Sequence, residues 1–365
     1  MATARHTLSG TDYRDPAVFE AERQRIFFQE WFYAARAESI SRAGEWLTVD
    51  VGGESILVIR GADNRIRGFY NVCLHRGSQL CQGEFGREKS TIRCNYHAWC
   101  YDYDGKLVAT PKVEAGEVDS ANMTLAPVHV DVWQGFVFVN LSTSPPRSLR
   151  DALAENYDRP LEFEHFGLDT LAVAHRTISD VVANWKIVIE NYNECLHCPT
   201  VHPELVEVMP LYRTGWVQEA GRTDGGTTLA GDGIGYTMDG RSRLAVLPGR
   251  TELEAHSVYG ATIYPNMFLD IAPTVAIATS IRPLDATHSR IITEYLFHPD
   301  EIARPDFDPM DVVNFSELVA SQDYMVCQWV QQGVSSRSFQ HGYLAAKDRY
   351  VAEFNDRYLR DRGPV

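Results

Sequence analysis

Two Cys/His pairs, Cys73-Leu74-His75 and Cys94-Asn95-Tyr96-His97 with 18 residues between them, constrain the fold more than any other feature of this chain. Two thiolates and two neutral imidazoles serve one metal centre only if a rigid scaffold holds two loops side by side. A hairpin turn suits each pair, because it presents ligands two or three residues apart on one side of the backbone. The surrounding sequence agrees. From Glu45 to Leu141 it runs in short apolar segments, Trp46–Val51, Ser55–Arg60, Arg67–Val72 and Gly135–Leu141, separated by Gly, Asp and Asn turns. Such a pattern predicts an all-β module of roughly a hundred residues with the ligand loops at its tip. One cysteine and one histidine per pair suit a [2Fe–2S] cluster with sulfur on one iron and nitrogen on the other, which raises the reduction potential above that of an all-cysteine cluster. Zinc is the alternative. Zinc fingers, however, put both cysteines in one pair and both histidines in the other, and here His75 is followed by Arg76-Gly77 rather than by a helix. Trp99 is placed to cover the cluster from water. Cys81 and Cys100 fall outside the spacing and read as structural thiols.

The formal charge of −15 and pI near 5.2 argue against nucleic-acid binding, which needs a basic face. No apolar run approaches the roughly 20 residues of a membrane helix. The opening MATARHTLSGTDYRDP lacks the apolar stretch of a secretory signal. Seven cysteines, some in ligand-like spacing, point to a reduced, cytoplasmic protein.

Residues 16–36 show Phe19, Ile26, Phe27 and Trp31 at helical spacing, predicting one amphipathic helix. Ser142–Pro146 reads as a linker. Beyond it the pattern predicts a helix around Leu149–Tyr157, a strand near Leu171–Ile178 and a longer helix from about Val182 to Leu196. Gly221–Gly240 reads as a mobile glycine-rich loop. Strand-like runs fill 258–296, and the chain turns helical again from about Phe307. The expected division is an N-terminal helical segment over 1–40, a β module over 41–145 and a second domain over 146–365.

That second domain carries its own ligand set. On a continuous helix Glu190, Glu194 and His197 share one face. Pro199 disfavours helix at Cys198, so the chain should bend there and return His202 to the side of His197. Two imidazoles and one carboxylate make the facial triad of Fe(II) oxygenases, with positions left open for O2 and substrate. Cys195-x-x-Cys198 as a redox or zinc pair is a rival use of the same segment. Glu190 reads equally as a buried helix acid or as support for a ligand. The third iron ligand must come from elsewhere. An acid among apolar neighbours, as at Asp323, is costly unless paired or metal-bound, yet composition alone does not separate it from Asp300, Asp306, Asp308 or Asp311.

Taken together the motifs resemble those of a Rieske non-haem iron oxygenase α subunit, the terminal oxygenase component, nearly end to end. The likeness runs through Asn71-Val-Cys73-Leu-His75-Arg-Gly77, Cys94-Asn-Tyr-His97-Ala-Trp99, Trp133-Gln-Gly135-Phe-Val-Phe138-Val-Asn140, the 184–203 segment and Asp323…Gln331-Gln-Gly333. The resemblance implies an α+β fold, with an all-β Rieske domain joined to a catalytic domain in which an antiparallel sheet wraps around a helix. It implies that Cys73, His75, Cys94 and His97 hold the cluster and that His197, His202 and Asp323 hold a mononuclear Fe(II). Glu194 and Asn191 become the candidate catalytic residues, Glu194 as the carboxylate bridging cluster and iron across the boundary of a head-to-tail homotrimer. Glutamate there, and the string Glu-Asn-Tyr-Asn-Glu-Cys-x-His-Cys, are similar to the branch acting on quaternary ammonium compounds. Three positions depart from the pattern: Asn95 replaces a frequent proline, Ala98 a frequent glycine and Gln328 a frequent glutamate.

These features imply an oxidoreductase that uses O2, a small organic substrate and electrons from a separate NAD(P)H-dependent flavin/iron–sulfur reductase. The chain has no glycine-rich dinucleotide motif of its own. A cationic substrate favours an aromatic wall, for which Tyr192, Tyr259, Tyr264, Phe268 and Trp329 are the candidates. An aromatic-ring dioxygenase or O-demethylase is the rival on the same scaffold. A pure electron carrier would leave His197 and His202 without a purpose.

Overall fold

The structure is a computed structural model that describes residues 5–114, 116–218 and 224–365. Two compact units emerge, one spanning Phe27–Leu149 and the other combining the described residues up to Ile26 with Arg150–Val365.

The N-terminal segment departs from the single helix expected. Asp15 caps helix α1 (Pro16–Glu22) by accepting the Ala17 N–H at 2.8 Å. A π-turn over Arg23–Phe27 follows, and then strand β1 (Phe32–Arg36), every residue of which is buried. Helical spacing did not survive here because Phe32–Arg36 pairs with the strand Phe136–Asn140. Tyr33 meets Phe136 and Phe138 with ring centroids 5.7 Å from each. Cross-strand aromatic contacts outweigh a modest helical preference.

In the Phe27–Leu149 unit, β1 joins β2 (Glu45–Val51), β3 (Glu54–Arg60), β4 (Ile66–Tyr70), β5 (Phe85–Arg87), and, after a small sheet of β6 (Ile92–Arg93), β7 (Cys100–Tyr101) and β8 (Leu107–Ala109), the hairpin β9 (Pro127–Trp133) and β10 (Phe136–Asn140). The larger sheet has the order β1-β10-β9-β4-β3-β2-β5, and all its pairings are antiparallel. Burial does not alternate as the sequence pattern suggests but runs through every residue of β1 and β10 and through Ile56–Ile59 of β3, and Leu57, Ile59, Ile92, Trp99, Tyr101 and Leu107 close a core against Cys73 and Cys94.

The second unit is built on a six-stranded antiparallel sheet of β11 (Ala172–Val181), β12 (Gly226–Thr228), β13 (Ser257–Ile263), β14 (Met267–Ile271), β15 (Ala276–Asp285) and β16 (His288–Phe297), in the order β11-β16-β15-β14-β13-β12. Part of the glycine-rich segment thus forms an edge strand rather than a loop. Residues 221–223 of that segment lie outside the described residues. The helices α2 (Trp185–Tyr192), α3 (Cys198–Val201), α4 (Pro203–Val208), α5 (Met310–Val334) and α6 (Arg349–Arg362) complete the unit. Val312, Val313, Phe315 and Val319 of α5 pack on Val258, Ile277, Tyr295 and Phe297 of the sheet, so the antiparallel sheet curls against a long helix. No helix among the described residues is long and apolar enough to cross a membrane.

Candidate active site

Helix α2 is fixed at both ends. Asn184 caps it by accepting the Lys186 N–H at 2.9 Å, while its own amide donates to the Ala286 carbonyl at 2.7 Å. The buried face is tied to the N-terminal segment. Trp185 Nε1–H and Tyr358 O–H donate to the Glu22 carboxylate at 2.8 and 2.7 Å, and fully buried Lys186 reaches the same group at 2.5 Å. Burial holds the Lys186 ammonium below its ordinary pKa. Glu190 accepts the Tyr13 hydroxyl at 2.8 Å. Burial pushes that carboxyl up to about 7.

The helix ends at Tyr192, short of the Leu196 expected, so Glu190, Glu194 and His197 do not form one helical face. The bend comes earlier than Pro199, which instead opens helix α3, the position in a helix where proline fits best. Even so, His197 and His202 are brought together, with ring centroids 5.1 Å apart. Cys195 and Cys198, which bracket His197, are joined in a disulfide.

Both imidazoles present Nε2 to Asp323 Oδ1, at 3.2 Å for His197 and 2.9 Å for His202. Their Nδ1 atoms are engaged elsewhere. His197 Nδ1 lies 2.7 Å from Glu194 Oε1, and His202 Nδ1 lies 2.7 Å from Gln322 Oε1. With Nδ1–H donating to those acceptors, the Nε2 lone pairs face a carboxylate, which is repulsive unless a cation sits between them. Ligand bonds of about 2.1 Å at right angles place neighbouring donor atoms about 3.0 Å apart, so the spacing suits a metal ion. Without one, protonation takes its place: burial opposes it, but the Asp323 and Glu194 carboxylates outweigh burial and raise His197 to about 9. Cys198 Sγ also lies close to the histidine nitrogens, but as a disulfide sulfur it offers no thiolate.

These groups open onto a cavity of about 540 Å³. Asn191, Tyr192 and Phe268 line it, together with Tyr212, Tyr236 and Asp270. Tyr192 and Phe268 stack with centroids 3.9 Å apart and planes 7° from parallel. Three of the expected wall residues are elsewhere. Tyr259 is buried against Phe163 and Phe166, and Tyr264 packs on Phe354 under Arg357. Trp329 is 58% exposed. On α5 the cavity face is Ser316, Val319, Ala320, Asp323, Tyr324 and Cys327. Trp329, six residues past Asp323, lies about 240° around the helix from it. Gln328 donates to the Tyr324 carbonyl of its own helix at 3.2 Å. Asp270 went unread in the sequence, although an acid at an alternate position of the apolar strand Met267–Ile271 was the available signal.

In the β unit, Cys73 and Cys94 are buried free thiols that interact with each other without forming a disulfide. Burial acts to raise Cys94, but the backbone N–H groups of Tyr96 and His97 win and hold it below its ordinary pKa. The His75 and His97 rings sit 4.5 Å apart, and Trp99 stacks on His75 at 4.6 Å and 8°. Desolvation and the neighbouring His75 and Arg76 lower His97, which favours the neutral imidazole a metal needs. Two paired thiols and two imidazoles therefore fit a two-iron cluster. Asn71, buried beneath, accepts the Leu80 and Cys81 N–H groups and donates to the Cys81 carbonyl, locking the loop. Ala98 adopts φ +60°, which explains a glycine preference there. Cys81 is buried and pushed up to about 12, while Cys100 Sγ–H donates to the Ala98 carbonyl.

A β unit with a mixed Cys/His cluster loop and a sheet-and-helix unit with a His/His/Asp convergence define a two-centre iron oxygenase. Residues 30–129 match the Rieske [2Fe-2S] domain family, and residues 168–361 match the family described as ring hydroxylating alpha subunit (catalytic domain). The chain belongs to the Rieske non-haem iron oxygenase α subunits, oxidoreductases that use a [2Fe–2S] cluster, a mononuclear iron, O2 and electrons from a reductase component. The glycine betaine monooxygenase oxygenase subunit of Chromohalobacter salexigens is 31% identical over 97% of this chain and 85% of its own length. The carnitine monooxygenase oxygenase subunit of Acinetobacter pittii is 30% identical over 90% of this chain and 85% of its own length. Among solved structures, the quaternary ammonium Rieske monooxygenase CntA in complex with L-carnitine superposes with a TM-score of 0.78 at 24% identity, covering 99% of this chain and 96% of that one. Naphthalene 1,2-dioxygenase from Rhodococcus sp. gives 0.75 at 20% over 98% and 95%. At these identities the structural likeness establishes the fold.

Proposed function

We propose that this chain is the terminal oxygenase of a monooxygenase that attacks a C–H bond next to the nitrogen of a quaternary ammonium or betaine-like substrate. In this reading Cys73, His75, Cys94 and His97 hold the cluster, and His197, His202 and Asp323 hold the iron, the histidines through Nε2. The observation that carries it is that the three converging donor atoms open onto an aromatic-walled cavity, in a chain whose relatives are named for glycine betaine and carnitine.

When bound, the cluster supplies single electrons and the iron supplies O2 activation. Glu194 fixes the His197 ring through Nδ1 and also accepts the Leu196 N–H, so its carboxylate is held rigidly. Gln322 does the same for His202. In a head-to-tail homotrimer, His75 or His97 of a neighbouring copy donates a second hydrogen bond to Glu194, giving a short route between centres. Inter-subunit electron transfer is named for the quaternary ammonium Rieske monooxygenase in the same fold group. The reductase of this reading is a separate NAD(P)H-dependent flavin/iron–sulfur protein. A cytoplasmic setting belongs to this reading; five cysteines are thiols, while the Cys195–Cys198 disulfide departs from the fully reduced chain expected from the sequence.

Hydroxylation of an N-methyl group consumes O2, two electrons and two protons and releases water. The N-hydroxymethyl product then loses formaldehyde and a proton to leave the demethylated amine. Incubation with a reductase, NADH and a panel of trimethylammonium compounds and aromatic acids tests this. Substrate-dependent O2 uptake with formaldehyde or trimethylamine release is the expected result. A cis-diol or phenol from the aromatic compounds, with no turnover of any ammonium compound, would replace this reading with the ring-hydroxylating one.

A further inference from the structure

The cavity is walled by several charged side chains, and nearly all are matched within the protein. Glu194 pairs with His197, and Asp323 with His197 and His202. Arg159 pairs with Glu162. Arg349 donates to Gln218 and Tyr350, and Asp158, which burial pushes up to about 7, accepts the Thr262 N–H at 2.7 Å. Asp270 differs. Strand alternation on β14 turns Phe268 and Asp270 toward the cavity, while Leu269 and Ile271 are buried on the other side. Its Oδ1 accepts the Tyr192 hydroxyl at 2.6 Å. Among the described residues no lysine, arginine or histidine pairs with it. Tyr212 and Tyr236, also in the cavity wall, lie within its field. Gly260 on the adjacent strand leaves room for the contact, since a Cβ there would come within 2.9 Å of the Tyr192 hydroxyl and 3.1 Å of Asp270 Oδ1.

A half-buried carboxylate with a single neutral donor and no counter-ion is costly. A ligand cation removes that cost. A methylated ammonium has no N–H to donate, so it is recognised by ring faces and by a nearby negative charge rather than by hydrogen bonds. Both are present. We propose that Asp270 is the anionic anchor that selects a cationic ligand in this cavity, held in place by Tyr192 and ringed by Phe268, Tyr212 and Tyr236. The proposal rests on the substrate class put forward above and names the residue that enforces it.

Choline and 3,3-dimethylbutan-1-ol, which replaces its N⁺ by carbon, have the same shape and differ in charge. Calorimetric titration of the iron-loaded holoenzyme is expected to show at least a tenfold preference for choline. In Asp270→Asn that preference should fall below threefold, with affinity for the alcohol, iron content and cluster spin resonance all retained. A preference that persists in the Asn variant overturns the anchor and leaves the substrate class standing. A wild-type enzyme that favours the alcohol or binds both equally overturns the substrate class as well. The wild-type protein provides a second test that does not depend on the variant folding. Burial raises the Asp270 carboxyl to about 6; the facing Tyr192, Tyr212 and Tyr236 remain protonated below neutrality, and Asp158, elsewhere in the wall and raised by burial to about 7, takes up its proton first, so a midpoint near 6 marks Asp270. Choline affinity should therefore weaken about fourfold between pH 7.5 and 5.5 while the alcohol is unaffected; equal responses of the two compounds overturn the anchor.

Discussion

Replacing Gln322 with leucine should cost the protein its iron while sparing the cluster. Gln322 is the only side chain that engages Nδ1 of His202 among the described residues, at 2.7 Å, and His202 is 1% exposed. Leucine keeps the volume but leaves the imidazole N–H buried without an acceptor. Such an orphaned donor costs about 1–3 kcal/mol, which corresponds to about a 5- to 140-fold loss of iron affinity, in line with the effect of removing groups that orient metal-bound histidines. The ring can escape the penalty only by rotating, which moves Nε2 away from Asp323. Glutamine rather than glutamate fits this position for a further reason. Its amide donates to Glu204 Oε2 at 3.0 Å, so a glutamate would set two carboxylates against each other. Iron stoichiometry after equilibration against a graded chelator reads the affinity, and acid-labile sulfide reads the cluster. Glu204→Gln, altering a half-buried partner that touches no histidine nitrogen in the described contacts, should change the affinity less than threefold. A Gln322→Leu protein that retains iron like the wild type would refute the orienting role, and one that loses the cluster equally would point to general unfolding instead.

Glu194→Ala removes the Nδ1 acceptor of His197, but that ring is 14% exposed and water can replace the carboxylate, so with iron supplied in excess both metal centres should be present while coupled turnover is abolished; metal and sulfide analysis beside substrate-dependent O2 uptake decides it, and substantial turnover would contradict the bridge. Glu190→Gln tests the buried network behind the site. The carboxyl is raised from 4.5 to about 7, so the folded protein holds this proton more tightly than the unfolded chain. The wild-type group costs stability above about pH 7 and costs nothing below about pH 4.5. The variant should therefore gain about 3 kcal/mol at pH 8 and little at pH 4.5, seen as a pH-dependent difference in thermal midpoint. An identical difference at both pH values would show that the carboxyl is not held as the structure implies.

The parts of the site that were legible in the sequence are those whose ligands lie a few residues apart. Cys73/His75, Cys94/His97 and His197/His202 each belong to one turn or bend, so local spacing carries the information. Asp323 lies more than a hundred residues from the histidines, and only the resemblance to a known family singled it out from other acids. Helical phase explains Trp329: without knowing which face of α5 met the sheet, its aromatic ring looked as available as any. Glu190 was open between a buried helix acid and support for a ligand, and it is the buried acid; the face shared with Glu194 and His197 does not form because the helix, expected through Leu196, ends at Tyr192. Strand β1 was hidden for a related reason. Its partner, Phe136–Asn140, is a hundred residues away, and pairing with it overrides the local periodicity.

Asp270 shows the same limit from the other side. An acid within Met267–Ile271 looks like an exposed position on a half-buried strand, since one face of an antiparallel sheet commonly meets solvent. Here the second face meets the cavity, and the acid lies beside Phe268 and the tyrosines of its wall. Iron bound at the triad would offset Asp323, and His197 engages Glu194, so neither acid is left to balance a substrate. What remains beside the aromatic rings is Asp270, which accepts the Tyr192 hydroxyl and has no cationic partner among the described residues. A neutral aromatic substrate would seal that charge away from water with the Tyr192 hydroxyl as its sole donor, or force it to take up a proton. A cation meets neither obstacle. The scaffold is shared with naphthalene dioxygenase, so it does not choose between these substrates; the charge left over in the cavity does.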